Sequence, residues 1–75
     1  MQPITFSPPA LDALLTDHHV LANVDGSIAT IRALGLEPRP AIIRQQCALQ
    51  DIDPSQTEFL VALIGRRLSS LEEAL

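Results

Sequence analysis

Apolar and polar positions are most regularly ordered at the end of the chain, from Asp53 to Leu75. Val61, Ile64, Leu68, Leu71 and Leu75 follow one another at steps of 3, 4, 3 and 4. That spacing draws a continuous apolar seam down a helix. Phe59, Leu60 and Leu63 widen its first half into an almost all-round apolar segment. Ser69, Ser70, Glu72 and Glu73 make the second half one-sided. Asp53 reads as the N-cap and Pro54 as the first helical residue. The cap carboxylate is expected to accept from the amide of Gln56, whose side chain can reach back to the cap. Nothing interrupts the pattern after that start, so it predicts a long helix over 54–75.

The same reading predicts three earlier helices. Ser7 caps a first helix that begins at Pro8, and Phe6 is placed to pack on Leu11 as a hydrophobic staple. Leu11, Leu14, Leu15, His18, Leu21 and Ala22 extend its apolar face, which gives a helix over 8–22. Asn23-Val24-Asp25-Gly26 reads as a break, with Asp25 or Ser27 capping a short second helix over 27–34. Ile28, Ile31 and Leu34 share one side of it. Gly35 is its stop, because glycine takes the left-handed conformation freely, and Leu36 is expected to pack back. Glu37-Pro38-Arg39-Pro40 is a stiff connector. A third helix over 40–50 follows, with Ile42, Ile43, Cys47 and Leu49 inward and Arg44, Gln45 and Gln50 toward water. No period-two alternation runs long enough to predict a strand. The expected architecture is one all-α domain over 1–75, a small bundle of four helices with a long C-terminal helix. Residues 1–6 are expected to be a loosely ordered arm.

Composition sharpens this picture. The chain has 75 residues, 47% of them hydrophobic, yet its only aromatic residues are Phe6 and Phe59. A chain this short buries roughly 60% of the surface its unfolded form exposes. Aliphatic side chains therefore exceed what so small a core can cover, which points to an interface. The net charge is −4, and all five basic residues are arginine. Nucleic-acid binding leans on cations that neutralise phosphates, so a basic protein is the better-matched partner. Arg66 and Arg67 form the one local basic patch. The lone Cys47 fits a reducing compartment. The N-terminus lacks the marks of a signal peptide, and no stretch approaches the ~20 apolar residues that span a bilayer. A cytoplasmic protein is expected, with no membrane contact.

No catalytic constellation emerges, and neither an enzyme nor a cofactor site is expected. His18 and His19 are neighbours, about 100° apart on a helix, which is poor geometry for a shared metal ion. Cys47 sits in an apolar pattern and reads as structural. The third and fourth helices have the outline of a helix-turn-helix, which keeps DNA binding as an alternative. Against it, Glu58 would meet phosphates unfavourably, and Phe59 onward is apolar where a recognition helix is polar. Asp25-Gly26-Ser27-Ile28-Ala29 resembles the attachment motif of acyl and peptidyl carrier proteins, in which a serine opens a helix and carries a phosphopantetheine arm. Gly26 stands where that motif has Asp or His, and the long loop that precedes the carrier serine is missing.

Ile43-Arg44-Gln45-Gln46-Cys47 and Ser55-Gln56-Thr57-Glu58-Phe59-Leu60 resemble small proteobacterial antiactivators, which restrain the transcriptional activators of quorum sensing and conjugative transfer. The resemblance spans about half the chain and rests on size and character. It implies sequestration of an activator by direct binding, without a cofactor. The expected contact residues are Phe59, Leu63, Arg66, Arg67, Leu68, Leu71 and Leu75. The leucines near the end also leave open a homodimer through the C-terminal helix.

Overall fold

The computed structural model describes residues 7–74. It is all-α, with α1 over Pro8–Leu14, α2 over His18–Ala33, α3 over Pro40–Leu49 and α4 over Pro54–Glu73. The expected arm, the Phe6–Leu11 staple and Leu75 lie outside the described residues or depend on them.

The long helix α4 is the common support, because α1, α2 and α3 each pack against it. Ile64 at its centre is completely covered. Leu63 beside it joins Leu11 of α1, Val24, Ile28 and Ile31 of α2, and Ile43 and Cys47 of α3 in one core. Fully burying an aliphatic side chain of this size stabilises by about 1.5–3 kcal/mol. These few residues therefore decide which faces turn inward. Leu49, expected on the inner side of α3, is 73% exposed. It occupies the last position of its helix, where the chain turns toward α4 and nothing lies over it.

The first two helices divide differently from the expected 8–22 and 27–34. Helix α1 starts as expected, with Ser7 Oγ accepting from the Ala10 amide at 3.4 Å. It stops at Leu14. Thr16 Oγ1 donates to the Ala13 carbonyl at 2.6 Å, and Asp17 Oδ1 accepts from the His19 and Val20 amides at 2.8 and 3.3 Å. Asp17 is thus the N-cap of α2, and a cap of this kind is worth about 1 kcal/mol. The anticipated break at Asn23-Val24-Asp25-Gly26 is continuous helix. Ser27 Oγ donates to the Asn23 carbonyl and Thr30 Oγ1 to the Gly26 carbonyl, each at 2.9 Å. These hydroxyls bond back into the helix instead of capping a new one. Gly26 costs a helix interior about 1 kcal/mol relative to alanine. Burial of Val24, Ile28 and Ile31 on one stripe outweighs that penalty.

Two helix ends close by the same device. At the end of α2, Gly35 has φ +78°, its amide reaches the Arg32 carbonyl at 2.9 Å, and the Leu36 amide reaches Ile31 at 3.2 Å. At the end of α3, Asp51 takes φ +55°, its amide reaches Ala48 at 3.2 Å, and the Ile52 amide reaches Cys47 at 3.0 Å. Both are Schellman closures. Helix α4 then begins at Asp53. Its carboxylate accepts from the amide and hydroxyl of Ser55, at 2.8 and 2.9 Å, and not from the amide of Gln56. The short Ser55 side chain brings a second donor to the same oxygen.

Asp51 holds a left-handed conformation that favours glycine. Asp51→Gly is expected to raise stability modestly, because relief of the left-handed conformation exceeds the extra chain entropy that glycine loses. The β-branched change Asp51→Val should lower it. Thermal unfolding followed by circular dichroism distinguishes the two directions, and a Val variant as stable as wild type would remove the strain argument.

Candidate functional site

The residues expected to contact a partner do not form one open face. Leu63 is in the core, and Phe59 and Leu68 are half-buried against it. Leu71 is exposed.

Arg66 and Arg67 turn inward along the bundle. Arg66 donates Nε–H and Nη2–H to the two oxygens of Asp12 on α1, at 2.7 and 2.8 Å. Arg67 does the same to Asp25 on α2, at 2.9 and 3.2 Å. Adjacent residues on a helix point about 100° apart, so one arginine reaches each neighbour. On the third side, Arg44 of α3 donates to both oxygens of Glu58 on α4, at 2.8 and 2.9 Å. Solvent screens partly exposed pairs like these, so each adds little net stability. Their fork geometry sets the register of each helix on α4. A fourth pair, Arg39 with Glu37, stiffens the connector at 2.7 Å.

The pairing redistributes the charge. Four arginines are engaged, which leaves Arg32 against Asp17, Asp51, Asp53, Glu72 and Glu73 outside ion pairs among the described residues. The basic patch of Arg66 and Arg67 is neutralised in place. A phosphate could use it only by breaking contacts to Asp12 and Asp25.

Two concavities flank α2. Helices α2 and α3 both lean on α4 but leave a cleft of about 360 Å³ between them. Ile43, Leu60 and Ile64 supply its floor. Asn23, Gly26, Ser27 and Thr30 form the α2 wall, and Gln46 and Gln50 form the α3 wall. A second groove of about 630 Å³ runs between α2 and the first half of α4, past Val20, Val24, Phe59 and Leu63. The two hollows share Asn23, Ser27, Ile52 and Leu60, so they meet across α2. No charged side chain lines either one among the described residues. The surface is aliphatic at the bottom, with amides and hydroxyls along its edges. It suits an apolar side chain carried on a backbone or amide that can use the rim.

Gly26 lies in this wall. Nothing stands within 4 Å of the place where its β-carbon would be, and its backbone is ordinary helix. Neither close packing within the chain nor a positive φ calls for a glycine. Sequence reasoning missed this wall. Its one signal was the recurrence of Ala22, Gly26 and Thr30 at steps of four, all small, on the side of α2 away from Val24, Ile28 and Ile31.

The other candidates are placed plainly. Cys47 is buried in the core. His18 and His19 are both exposed in the first turn of α2, although one of them was expected to pack against the bundle. The described residues contain no group of three His, Cys, Asp or Glu placed to hold a metal ion. Ser27 lies in the middle of α2, unlike a carrier serine at the head of a helix. Among the described residues no helix is long and apolar enough to cross a membrane.

The ion pairs lead to a pH dependence. The Arg66 hydrogen bond holds the Asp12 carboxyl below its ordinary 3.8, and the Arg44 hydrogen bond holds Glu58 below its ordinary 4.5. The Ser55 amide, then its hydroxyl, lowers Asp53 in the same way. A carboxyl with a depressed folded-state pKa stabilises fully above its unfolded value, and that stability is lost as pH falls through the folded value. Stability should therefore hold above about pH 5 and drop on acidification through the range below it. In urea titrations at stepped pH, Asp12→Asn should lower the plateau and flatten the acid limb. An unchanged acid limb would mean that the pair is too well solvated to matter.

Comparison with known proteins returned no matching family model, no matching curated protein and no matching solved structure.

Proposed function

We propose that this chain is a non-catalytic interaction module that takes a helix of a partner protein into the α2–α3 cleft. The partner best suited is a transcriptional regulator, held away from its target by direct binding as in the antiactivators the sequence resembles. The observation that carries this reading is the open, uncharged cleft with Gly26 in its wall. A mid-helix glycine lowers stability by about 1 kcal/mol. A binding wall without side-chain bulk gives that residue a purpose which internal packing does not. Small residues let a second backbone approach closely, while the isoleucine and leucine floor receives its apolar side chains. The Asn23, Gln46 and Gln50 amides supply hydrogen bonds at the rim.

This reading moves the contact away from the last helix. Helix α4 does not offer its seam to the partner; it supplies the floor on which α2 and α3 make a groove. The helix-turn-helix alternative receives no comparable support. Glu58 at the start of α4 is paired with Arg44, and the arginines that would meet phosphates are engaged by carboxylates.

Gly26→Leu separates folding from binding. The new side chain enters open space and improves helix propensity, so the melting temperature should be unchanged or a few degrees higher. Binding of the regulator, identified by cross-linking and mass spectrometry in the native host and then titrated calorimetrically, should weaken by at least about tenfold. Leu71→Glu, on the exposed tail of α4, is the contrasting variant. Loss of binding with the second change and not the first would transfer the interface to the end of α4.

A further inference from the structure

A third groove, of about 390 Å³, lies where the end of α2 and the connector meet the last turns of α4. Arg32, Leu36, Pro38, Leu68 and Glu72 line it together with the paired Glu37 and Arg39. Three leucines are exposed around this end of the molecule, Leu34 at 60%, Leu36 at 37% and Leu71 at 39%. Terminal helical turns fray unless something covers them, yet α4 stays helical to Glu73.

The charges here differ from those elsewhere on the bundle. Arg32 is the one arginine outside the four ion pairs among the described residues, and Glu72 on the same groove is also outside them. The Glu37–Arg39 pair on this groove is already closed, so its leucines lie between one unpaired cation and one unpaired anion, a patch that can complement itself. A two-fold axis that set the Arg32 of one copy on the Glu72 of the other would create the reverse contact by symmetry. A partner of a single charge sign would satisfy one of these groups and leave the other opposed.

We infer that this end is a homodimer interface, in which Arg32 pairs with Glu72 of a second copy around Leu36, Leu68 and Leu71. The α2–α3 cleft shares no lining residue with this groove, so both clefts stay open in the dimer. The assembly does not depend on how the cleft is used.

Sedimentation velocity on the full chain, from micromolar to near-millimolar concentration, tests it. The weight-average mass should climb from 8.1 kDa toward twice that value. Arg32→Glu and Glu72→Arg should each weaken association at least about tenfold, because like charges then face each other twice across the axis. An equimolar mixture of the two variants should recover the dimer, since each new charge meets its opposite. Circular dichroism melts establish that every variant is folded, and Leu71→Lys should weaken association without charge complementarity to rescue it. A chain that stays at monomer mass throughout overturns the inference. So does a dimer indifferent to these substitutions, or one that single changes weaken and the mixture fails to restore.

Discussion

Burial of the central turns of α4 is the constraint on which the rest of the structure depends. Ile64 has no exposed surface, and Leu63 beside it is almost as well covered. No two-helix contact could achieve that. Coverage from several directions at once requires α1, α2 and α3 to be arranged around one axis, and each does pack on α4. The arginines on α4 and α3 then refine the arrangement. Arg66, Arg67 and Arg44 contribute little free energy at their degree of exposure, but each forked pair admits one register. Hydrophobic burial gathers the helices, and the forked ion pairs fit the register that each one takes on α4.

The same constraint produces the cleft. Three short helices around one long helix cannot all touch their neighbours, and α2 and α3 are held to α4 on separated flanks. The space between them is lined by what a solvent-facing helix side normally carries, namely amides, hydroxyls and small residues. Its floor, however, is the edge of the core. Among the described residues no charged group is within the lining, which offers a phosphate no cation and is the ground for the helix-docking reading proposed above.

Much of the fold was legible from the chain alone. Pro40, Gly35, Asp53 and Pro54 punctuate clearly, and the periodic apolar positions Ile28, Ile31, Ile43, Cys47 and Ile64 are in the core, whereas Leu34, Leu36 and Leu49, expected to pack inward at helix ends, are exposed. The boundary between α1 and α2 was hidden, because Asp25, Gly26 and Ser27 imitate the start of a helix. Val24, four positions before Ile28, was the competing signal, since it carries the buried stripe straight through the apparent break. The candidate site was less legible. The arginines of α4 looked available because their carboxylates lie 54 and 42 positions away, on elements whose placement only the tertiary structure settles. A cleft is likewise a property of the spacing between helices, and no residue pattern states that spacing directly.

The pairing of Asp12 with Arg66 links opposite ends of the chain. Helix α1 has seven residues, far below the ~12–15 needed for an isolated helix to persist in water. Its conformation is thus borrowed from α4 and exists only while docked. The helical hairpin of α3 and α4, joined by a four-residue turn, closes cheaply, whereas the docking of α1 must draw in a loop of 54 positions. As a hypothesis, the molecule has a graded stability, with α1 as the segment that detaches before the rest unfolds. Amide hydrogen exchange would record it as early labelling across 11–14 against slow labelling around Leu63 and Ile64. Uniform protection of both would show instead that the bundle opens only as a whole.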